Sequence, residues 1–472
     1  MPQRLRPLSG LDAGFLYLES PLTPMHVGSL MRLAAPKRRG YDFHRALLAH
    51  VQSRLPRAPA LRRVLHDAPL SLGHPMWTQA GEIDLEEHII KRRLPSPGSD
   101  KQLLALVARL HAELLPRERP LWLFVVIEGL ADGGLALYSK IHHALLDGKG
   151  GIALAQALLD VDATRAQAME PEETAATEPQ SRPSRRDLAS TAARATLNQF
   201  ARLVRAAPAT LKMAASSVLS DPRKLVGKIR KSVLFAPRTP FNAQVGLHRR
   251  FAVASVPLER AKHVARGYGV SLNDVVLAMG AGALRASLLK ADALPKAPLI
   301  AAMPVSLREA GNTDASNQVS MVQCPLATDI ADPVKRLLAI HGASSQVKDR
   351  VGLFRDLIPT DYPGLAAPLW ASGLSRLWAV GEVREKLPPL ANLAISNVPG
   401  PPIDLYLAGA RVEHYFPVSI VTHGLGLNIT VQSYAGKLEF GVIACRDIEP
   451  GPAVIAKGLV TALDELVAEL AT

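Results

Sequence analysis

One stretch constrains the fold of this chain more than any other: Tyr138-Ser-Lys-Ile-His-His-Ala-Leu-Leu-Asp-Gly-Lys-Gly-Gly151. Leu135, Leu137 and Ile141 alternate with small or polar residues, and this period of two predicts a β-strand. The apolar spacing from Ile152 to Leu159 then predicts a helix. A strand that passes into a helix through a turn with two histidines is expected to project an imidazole into a cleft while the sheet holds its backbone.

The chemistry that this turn offers is proton transfer, because a free imidazole titrates near ~6.5. His143 is the predicted general base, and His142 is expected to form a structural hydrogen bond, with a direct catalytic role as the alternative. Asp147 can fix the histidine tautomer or brace the turn by pairing with a distant arginine. Gly148 suits a backbone shape that a Cβ would obstruct. Two histidines and an aspartate can also bind zinc, but no second cluster at ligand spacing accompanies them, so no metal is predicted.

The pattern His-His-x-x-x-Asp-Gly after a strand resembles the acyl-CoA-dependent acyltransferases with the chloramphenicol-acetyltransferase-like fold. A wider set of motifs resembles the bacterial wax ester synthase/diacylglycerol acyltransferase family, with Gly10 standing where that family more often has proline. The matching stretches follow the family's order along nearly the whole chain: Pro7 to Asp12, Pro24 to Gly28, Pro120 to Trp122, His142 to Gly148, Leu272 to Val276, Pro304 to Arg308 and Ser396 to Pro401.

This resemblance implies an α/β fold with α+β layers, in which two chloramphenicol-acetyltransferase-like domains meet at an active-site tunnel. We expect residues 1–165 and 246–472 to form the domains, and residues 166–245 to form a polar, then basic and helical, linker. Residues 166–184 are rich in glutamate, threonine and proline, a composition typical of linkers.

The resemblance also implies transfer of an acyl group from coenzyme A to the hydroxyl of a long-chain fatty alcohol, of diacylglycerol, or of both. His143 would act directly as the base without a covalent acyl-enzyme, and the chain has no Gly-x-Ser-x-Gly nucleophile motif. Coenzyme A would enter from one side of the domain interface and the alcohol from the other. Acyl-CoA is then a substrate, and no cofactor is predicted.

Several residues of the second half are expected to support this chemistry. Asn273 is the predicted donor to the tetrahedral oxyanion, with a plain first-turn helical role as the alternative. Asp274 is predicted to cap the same helix, since Ser271-Leu-Asn-Asp274 resembles a capping box. Arg308 is the predicted partner of Asp147. Ser396 and Asn397 open a rigid Asn-Val-Pro-Gly-Pro turn, which serves either the domain interface or architecture alone.

The charge of the chain is concentrated in one segment. Between Arg182 and Arg250 there are fifteen lysines and arginines against only Asp187 and Asp221, an excess equal to the net charge of +13 of the whole chain. Two interpretations stay open: an interdomain helix with solvated charges, or a patch that binds an anionic membrane or lipid-droplet surface. Nucleic acid is not predicted, because no recognition motif accompanies the charge.

Compartment and membrane topology follow from what the sequence contains. Cys324 and Cys445 lie in predicted strands at a spacing that suits neither a disulfide framework nor a metal site, which fits a reducing cytosol. No secretory signal pattern is visible, and the longest apolar runs are near ten residues, whereas a membrane span needs about 20. We therefore expect a cytoplasmic protein, associated peripherally with membranes or lipid inclusions.

Periodicity predicts further elements in both halves. Helices are predicted at Phe43–Leu55, Lys101–Leu115 with Asp100 as N-cap, Leu188–Leu219, Leu258–Tyr268, Val334–Val347 and Pro452–Leu470. Strands are predicted at Val27–Leu33, Leu121–Ile127, Phe251–Val256, Leu299–Met303, Gln318–Leu326, Leu390–Val398, Leu425–Ser433 and Leu438–Cys445. Leu121–Ile127 and Leu135–Ile141 are predicted to form a hairpin.

Three other functions are compatible with parts of this pattern. The first is an acyltransferase that takes its acyl group from a carrier protein, as condensation domains do. The second is a lipid-surface binding protein without catalysis, against which the intact His143 and Asn273 weigh. The third is a metal-dependent hydrolase, which would lose activity in the presence of a chelator.

Overall fold

The computed structural model describes residues 5–36, 38–69, 73–145, 150–162, 183–198, 201, 234–306, 319–355 and 388–470. In the first half the strands are β1 (Arg6–Pro7), β2 (His26–Ala34), β3 (Arg63–His66), β4 (Met76–Gln79), β5 (Ile89–Arg93), β6 (Trp122–Glu128) and β7 (Leu135–His142). The helices are α1 (Gly10–Leu18), α2 (Phe43–Arg54), α3 (Leu85–His88), α4 (Asp100–Ala112), α5 (Gly150–Leu158) and α6 (185–198).

The predicted hairpin is confirmed: β6 and β7 pair antiparallel, with Trp122 opposite Ile141 and Ile127 opposite Ala136. On its other edge β7 pairs antiparallel with β2, which brings His26 opposite His142. A strand bonded on both sides holds its last residues firmly, because its backbone donors and acceptors are satisfied within the sheet. This placement fixes the backbone of the two histidines.

The start of α4 corrects one prediction. Its N-cap is Ser99 and not Asp100, because Ser99 and Gln102 form a reciprocal capping box in which each side chain bonds to the other residue's backbone amide. Asp100 is the first helical residue, and its carboxylate pairs with Arg32 at 2.7 Å. A serine followed three residues later by glutamine is the stronger signal for a helix start.

The second half contains the strands β8 (Arg249–Pro257), β9 (Ile300–Ser306), β10 (Val319–Pro325), β11 (Leu393–Val398), β12 (Tyr406–Leu407), β13 (Ala410–Val418), β14 (Leu427–Tyr434) and β15 (Lys437–Cys445). Its helices are α7 (Leu258–Tyr268), α8 (Leu272–Lys290), α9 (Pro333–Arg355) and α10 (Pro452–Leu470). The sheet has the order β10-β9-β11-β14-β15-β8. Helix α7 ends at Gly269, whose φ of 66° lies in the left-handed region that glycine tolerates.

The second half of the sequence contributes strands to both sheets. Strands β12 and β13 come from the second half, but they complete the first-half sheet in the order β12-β13-β2-β7-β6-β5. β13 pairs antiparallel with β2, with Val418 opposite Gly28. The sequence boundary predicted at residue 246 therefore does not divide the strands between the sheets, because a crossover strand returns to the first one.

A shared apolar core joins the two sheets. Leu30 and Tyr138 from the first sheet pack in one buried cluster with Phe416 of the crossover strand and with Phe251 and Ile443 of the second sheet. Apolar side chains of α4 pack in the same cluster. The two sheets therefore pack on one shared apolar core.

Helix α8 is the core helix of the second half. Among the described residues it is long and apolar enough to cross a membrane, but 67% of its apolar window is buried inside the protein. The predicted capping box at its start is confirmed, since Ser271 and Asp274 exchange side-chain to backbone bonds. Cys324 lies in β10 and Cys445 in β15, so their predicted placement in strands is confirmed, and both are buried free thiols.

Candidate active site

The two histidines lie where β7 ends and a single 3₁₀ turn, His143–Leu145, begins. The amide of His142 donates to the carbonyl of Leu121 at 2.9 Å, and the amide of His143 donates to the carbonyl of Met25 at 2.8 Å. The strands on both sides of β7 therefore hold the backbone of the pair. This is the placement that the alternating pattern before the motif predicts.

The imidazole of His143 stacks on the phenyl ring of Phe15 in α1, with 3.9 Å between the ring centroids and 18° between the planes. Burial of the ring lowers the pKa of His143 to about 4, and the charge of nearby His142 acts in the same direction. Within the described part of the chain, the buried Nδ1 of His143 has no hydrogen-bond partner. Near neutral pH the ring is uncharged, the state in which it can accept a proton.

The ring of His142 points to the other side of the strand and is 1% exposed. Its Nδ1 accepts the amide proton of Ala144 at 3.1 Å, so its own proton is carried by Nε2. That Nε2 lies 3.1 Å from Oε1 of Glu19. At this distance the carboxylate attracts the N–H group of His142. His142 is thus held by its neighbours, as expected for a structural role.

Glu19 is a buried carboxylate that sequence reasoning missed. Its side chain is 4% exposed, and its Oε1 also lies 3.3 Å from Nε2 of His26. Arg117 donates to Oε2 from Nη2 at 2.9 Å and from Nε at 3.3 Å. Burial alone would raise the pKa of Glu19, but the contacts with His142, His26 and Arg117 outweigh it and hold the pKa well below its usual range. Glu19 is therefore a buried anion in contact with His142 and His26.

A further set of buried polar groups lies on the same side of β7 as His142. The ammonium group of Lys140 donates to the carbonyls of Leu110 and Glu113, both at 2.7 Å, at the end of α4. Burial lowers the pKa of Lys140 to about 8. His111 accepts from the hydroxyl of Tyr138 at 2.7 Å and donates to the carbonyl of Ser419 at 2.9 Å. These bonds join α4, β7 and the loop after the crossover strand.

The opposite face of β7 borders a mainly apolar cavity of about 160 Å³. Ile141, two residues before His143, lines it, and Gly151, Leu154 and Ala155 of α5 line it after the motif. The remaining lining residues come from β2, β6, β7, the end of α5, β12, β13 and β14: Val27, Gly28, Ser29, Met31, Phe124, Leu137, Ser139, Leu158, Leu159, Leu407, Tyr415 and Gln432. The cavity thus lies beside both ends of the histidine turn.

Helix α5, one wall of this cavity, is anchored at its end by α2. His50 donates to the carbonyl of Leu158 at 2.7 Å, and Arg54 donates to the carbonyl of Ala157 at 3.1 Å. Arg54 also pairs with the buried carboxylate of Asp160 at 2.7 Å. Cationic and N–H groups at a helix C-terminus satisfy carbonyls that have no partner within the helix. The wall is therefore fixed relative to the sheet.

In the second half, two motifs that were predicted separately are in contact. The side-chain amide of Asn397, in β11, donates to Oδ1 of Asn273, in the first turn of α8, at 3.3 Å. The adjacent Val398 pairs with Gln432, and Gln432 lines the cavity that also touches Ile141. The apolar cavity thus extends from β7 to β14, the strand that pairs with the one that carries Asn397.

Asp274 caps α8 and also joins it to α9. Its carboxylate accepts from the hydroxyl of Ser344 at 2.5 Å and lies 2.8 Å from Nδ1 of His341. Burial would raise the pKa of Asp274, but the bonds from Ser344, His341 and Ser271 lower it below its ordinary value. The predicted capping role is confirmed, and the structure adds a helix-to-helix contact to it.

The structure says little or nothing about the remaining predicted site residues. Asp147, Gly148 and Arg308 lie outside the described residues, so the predicted Asp147–Arg308 pair stays a prediction. Ser396 is half-buried in β11 opposite Thr430, a position that fits architecture. Within the part of the chain that the structure describes, no group of three or more histidine, cysteine or carboxylate side chains is arranged to hold a metal ion.

The chain is similar to a known protein family, to known sequences and to solved structures. Residues 8–276 match the wax ester synthase/diacylglycerol acyltransferase catalytic domain, and residues 315–467 match the C-terminal domain of the same family. A putative diacylglycerol O-acyltransferase of Mycobacterium tuberculosis is 38% identical over 466 residues, covering 97% of this chain and 99% of that protein. A probable diacylglycerol O-acyltransferase of the same species is 37% identical, covering 93% and 94%.

The structural comparison agrees. The wax ester synthase/diacylglycerol acyltransferase of Marinobacter aquaeolei VT8 superposes with a TM-score of 0.69 at 31% identity, covering 99% of this chain and 100% of that one. A starter condensation domain of rhizomide synthetase shares the fold, with a TM-score of 0.52 at 14% identity over 99% and 94% of the two chains. The predicted two-domain α/β architecture is confirmed. The chain belongs to the wax ester synthase/diacylglycerol acyltransferase family and is an acyltransferase.

Proposed function

We propose that this acyltransferase moves a long-chain fatty-acyl group from coenzyme A to the hydroxyl of a fatty alcohol or of diacylglycerol, with His143 as the general base. The observation that carries the proposal is the placement of His143: its half-buried imidazole stacks on Phe15, its backbone amide bonds the carbonyl of Met25, and the apolar cavity is lined by Ile141, two residues before it. A base with these surroundings suits a reaction between lipid substrates that must exclude water.

In the proposed reaction His143 accepts the hydroxyl proton of the acceptor as its oxygen attacks the thioester carbonyl. The C–O bond forms and the carbonyl oxygen becomes an oxyanion, to which the amide of Asn273 donates. The C–S bond then breaks, and the imidazolium of His143 returns its proton to the sulfur of coenzyme A. General base catalysis of this kind contributes about 10²–10⁴ in rate. Asn273 contributes about 10²–10³ as an oxyanion donor.

The cavity beside the histidine turn supports a substrate with an alkyl chain. An apolar protein cavity of about 150 Å³ stays dry and can hold benzene, so the volume of about 160 Å³ suits a chain segment of about six carbons. Each buried methylene contributes roughly 0.8 kcal/mol. We propose that part of the acyl chain occupies this space.

The proposed reaction is tested by incubating the enzyme with palmitoyl-CoA and hexadecanol, dioleoylglycerol or no acceptor, and by measuring both the ester product and free coenzyme A. Ester formed in step with coenzyme A release supports the proposal, and the faster acceptor identifies the main product. Coenzyme A release at the same rate without acceptor indicates a thioesterase and contradicts it. Absence of turnover by folded enzyme indicates a carrier-protein donor or a binding role, and also contradicts it.

We further propose that the basic segment binds an anionic lipid surface, which would place a cytoplasmic enzyme at membranes or lipid inclusions. Most of residues 182–233 lies outside the described residues, but α6 supports the proposal. Leu188 and Ala192 pack on Met76, whereas Arg185, Arg186 and Arg194 are exposed. Each basic residue near an anionic membrane contributes about 1 kcal/mol.

Sedimentation with vesicles tests this surface. The wild type should bind vesicles of phosphatidylserine and phosphatidylcholine, bind less in high salt, and bind phosphatidylcholine alone weakly. The triple variant R185E/R186E/R194E should lose most of this binding. The matched control K101E/K290E/K296E makes the same change in charge at exposed lysines elsewhere. Equal loss in both variants would indicate a net-charge effect and would contradict a specific surface.

A further inference from the structure

Helix α1 contacts both histidines of the motif through two residues of the same face. Phe15 and Glu19 are four residues apart, the spacing that places side chains on one side of a helix. The amide of Glu19 donates to the carbonyl of Phe15 at 3.1 Å and closes the helix. Phe15 stacks on His143, and Glu19 lies against His142. One helix end thus touches two consecutive residues, the last of β7 and the first of the turn that follows it.

Arg117 and Met25 hold the helix end and the carboxylate that make these contacts. Arg117 binds Glu19 through two nitrogens and also donates to the carbonyl of Leu16 at 3.1 Å, so the helix end and the carboxylate share one cation. Met25, whose carbonyl accepts the amide of His143, donates its own amide to Oε1 of Glu19 at 3.5 Å. A carboxylate with these partners has little freedom to move.

We propose that α1 is a positioning element for the histidine pair, in which Phe15 sets the ring plane of His143 and Glu19 holds the ring of His142. Neither side chain is assigned contact with the reacting atoms. Their effect is on the orientation of the base, and a displacement of about 1 Å can cost 10²-fold in rate. The inference rests on the proposed role of His143 and extends it to residues that no motif analysis identified.

A second consequence concerns solvent. The face of His143 that Phe15 covers is closed to water, and burial is the main reason that its pKa is lowered to about 4. The charged and titratable groups of the described residues around the pair are Glu19 and Arg117, which form an ion pair, and His26, His111, Lys140 and His142. Removal of the Phe15 ring should therefore admit water and move the pKa of His143 toward ~6.5.

The experiment compares Phe15→Leu, Phe15→Tyr and Glu19→Gln with the wild type and with His143→Ala. The control is Tyr17→Phe, which removes a hydroxyl on the same helix that bonds His74 and touches neither histidine of the pair. For each, kcat, the KM of both substrates, the pH dependence of kcat/KM and the melting temperature are measured with palmitoyl-CoA and hexadecanol.

Phe15→Leu and Glu19→Gln should each lower kcat by about ten- to hundredfold with KM changed less than twofold. Phe15→Leu should also move the acid limb of kcat/KM upward by about one to two pH units. Phe15→Tyr keeps an aromatic ring at this position and should show the wild-type values of kcat and KM. Tyr17→Phe should show them as well.

The inference is overturned if Phe15→Leu and Glu19→Gln lower only the melting temperature and leave kcat and the acid limb unchanged, while His143→Ala is inactive. Full activity of His143→Ala contradicts the proposed function instead, so the two failures are distinguishable. If Phe15→Leu does not fold, Glu19→Gln still decides the outcome, since it preserves the shape of the side chain.

Discussion

The side-chain amide of Asn397 donates to Oδ1 of Asn273 at 3.3 Å. Because Oδ1 is engaged in this bond, the NH₂ group of Asn273 faces away from Asn397 and remains a donor. This is the arrangement that an oxyanion-binding amide requires. The contact joins the first turn of a buried helix to the end of a central strand, and we propose that Asn397 orients the amide of Asn273.

Substitution at these two positions should separate donation from orientation. Asn273→Ala removes the donor and should lower kcat by about 10²–10³, with the KM for acyl-CoA nearly unchanged. Asn397→Asp should be almost as damaging, since a carboxylate accepts and would turn the NH₂ group of Asn273 toward itself. Steady-state kinetics check both. Wild-type kcat in Asn397→Asp would contradict the orienting role, and the exposed Asn198→Ala serves as the control.

Enlarging a residue of the cavity should shorten the preferred acyl chain. Ala155 lines the cavity, so Ala155→Phe should displace the last methylenes of a long chain, each worth about 0.8 kcal/mol or roughly fourfold in affinity. The ratio of kcat/KM for octanoyl-CoA to that for palmitoyl-CoA should rise. Ala153→Phe, on the exposed side of the same helix, should leave the ratio unchanged. An unchanged ratio in Ala155→Phe would show that the acyl chain binds elsewhere.

Gly28 should be intolerant of any side chain. It lies in β2 where a Cβ would come 2.0 Å from the carbonyl oxygen of Ser139, and this oxygen belongs to the paired strand and cannot move freely. Gly28→Ala should lower the free energy of unfolding by about 1–3 kcal/mol. Gly14, inside α1, has open space around it, so Gly14→Ala should gain about 0.5–1 kcal/mol. Denaturant unfolding measures both, and a neutral Gly28→Ala would contradict the close approach of β2 and β7.

Stability should fall in mildly acidic solution because of the buried histidines. Burial lowers the pKa of His26 and of His143 to about 4, whereas each titrates near ~6.5 in the unfolded chain. Between these values the unfolded state binds protons that the native state does not. The free energy of unfolding therefore decreases as the pH falls from 6.5 to 4, by up to about 1.4 kcal/mol per pH unit for each group.

Denaturant unfolding at several pH values tests this dependence. His26→Gln should reduce the slope between pH 6.5 and 4 by about one proton, and His263→Gln, at an exposed position, should leave it unchanged. Equal slopes in the wild type and His26→Gln would show that His26 is as easily protonated in the native protein as in the unfolded chain.

The local pattern of the chain was sufficient to predict some of the elements that carry the site, but not α1. Alternation before His142 predicted β7, and the capping pattern at Ser271 predicted the start of α8, because both signals come from neighbouring residues. The ordered motifs led to the family, which the comparisons confirmed. The strands and helices predicted in the second half differ from the observed ones at their ends, most of all at α9, which extends to Arg355. The strands β12 and β13 were not predicted.

The remaining parts of the site depend on contacts between distant segments. Glu19 and Phe15 have no local signal, since a carboxylate and an aromatic ring at the end of a helix are common, and only folding brings them to His142 and His143. His26 lies in a motif that had been noted, yet its position opposite His142 depends on the register of β2 and β7. The crossover strand β13 was not predicted at all, and its pairing with β2 is a contact between segments that are far apart in the sequence.

The most direct test of the central claim is the acceptor-dependent release of coenzyme A from palmitoyl-CoA by the wild type and by His143→Ala, at saturating hexadecanol and neutral pH. We predict that the variant folds, binds palmitoyl-CoA with the wild-type affinity and loses about 10²–10⁴ in rate. A folded His143→Ala enzyme that retains the wild-type acceptor-dependent rate would show that another group removes the proton, and would contradict the assignment of His143 as the base.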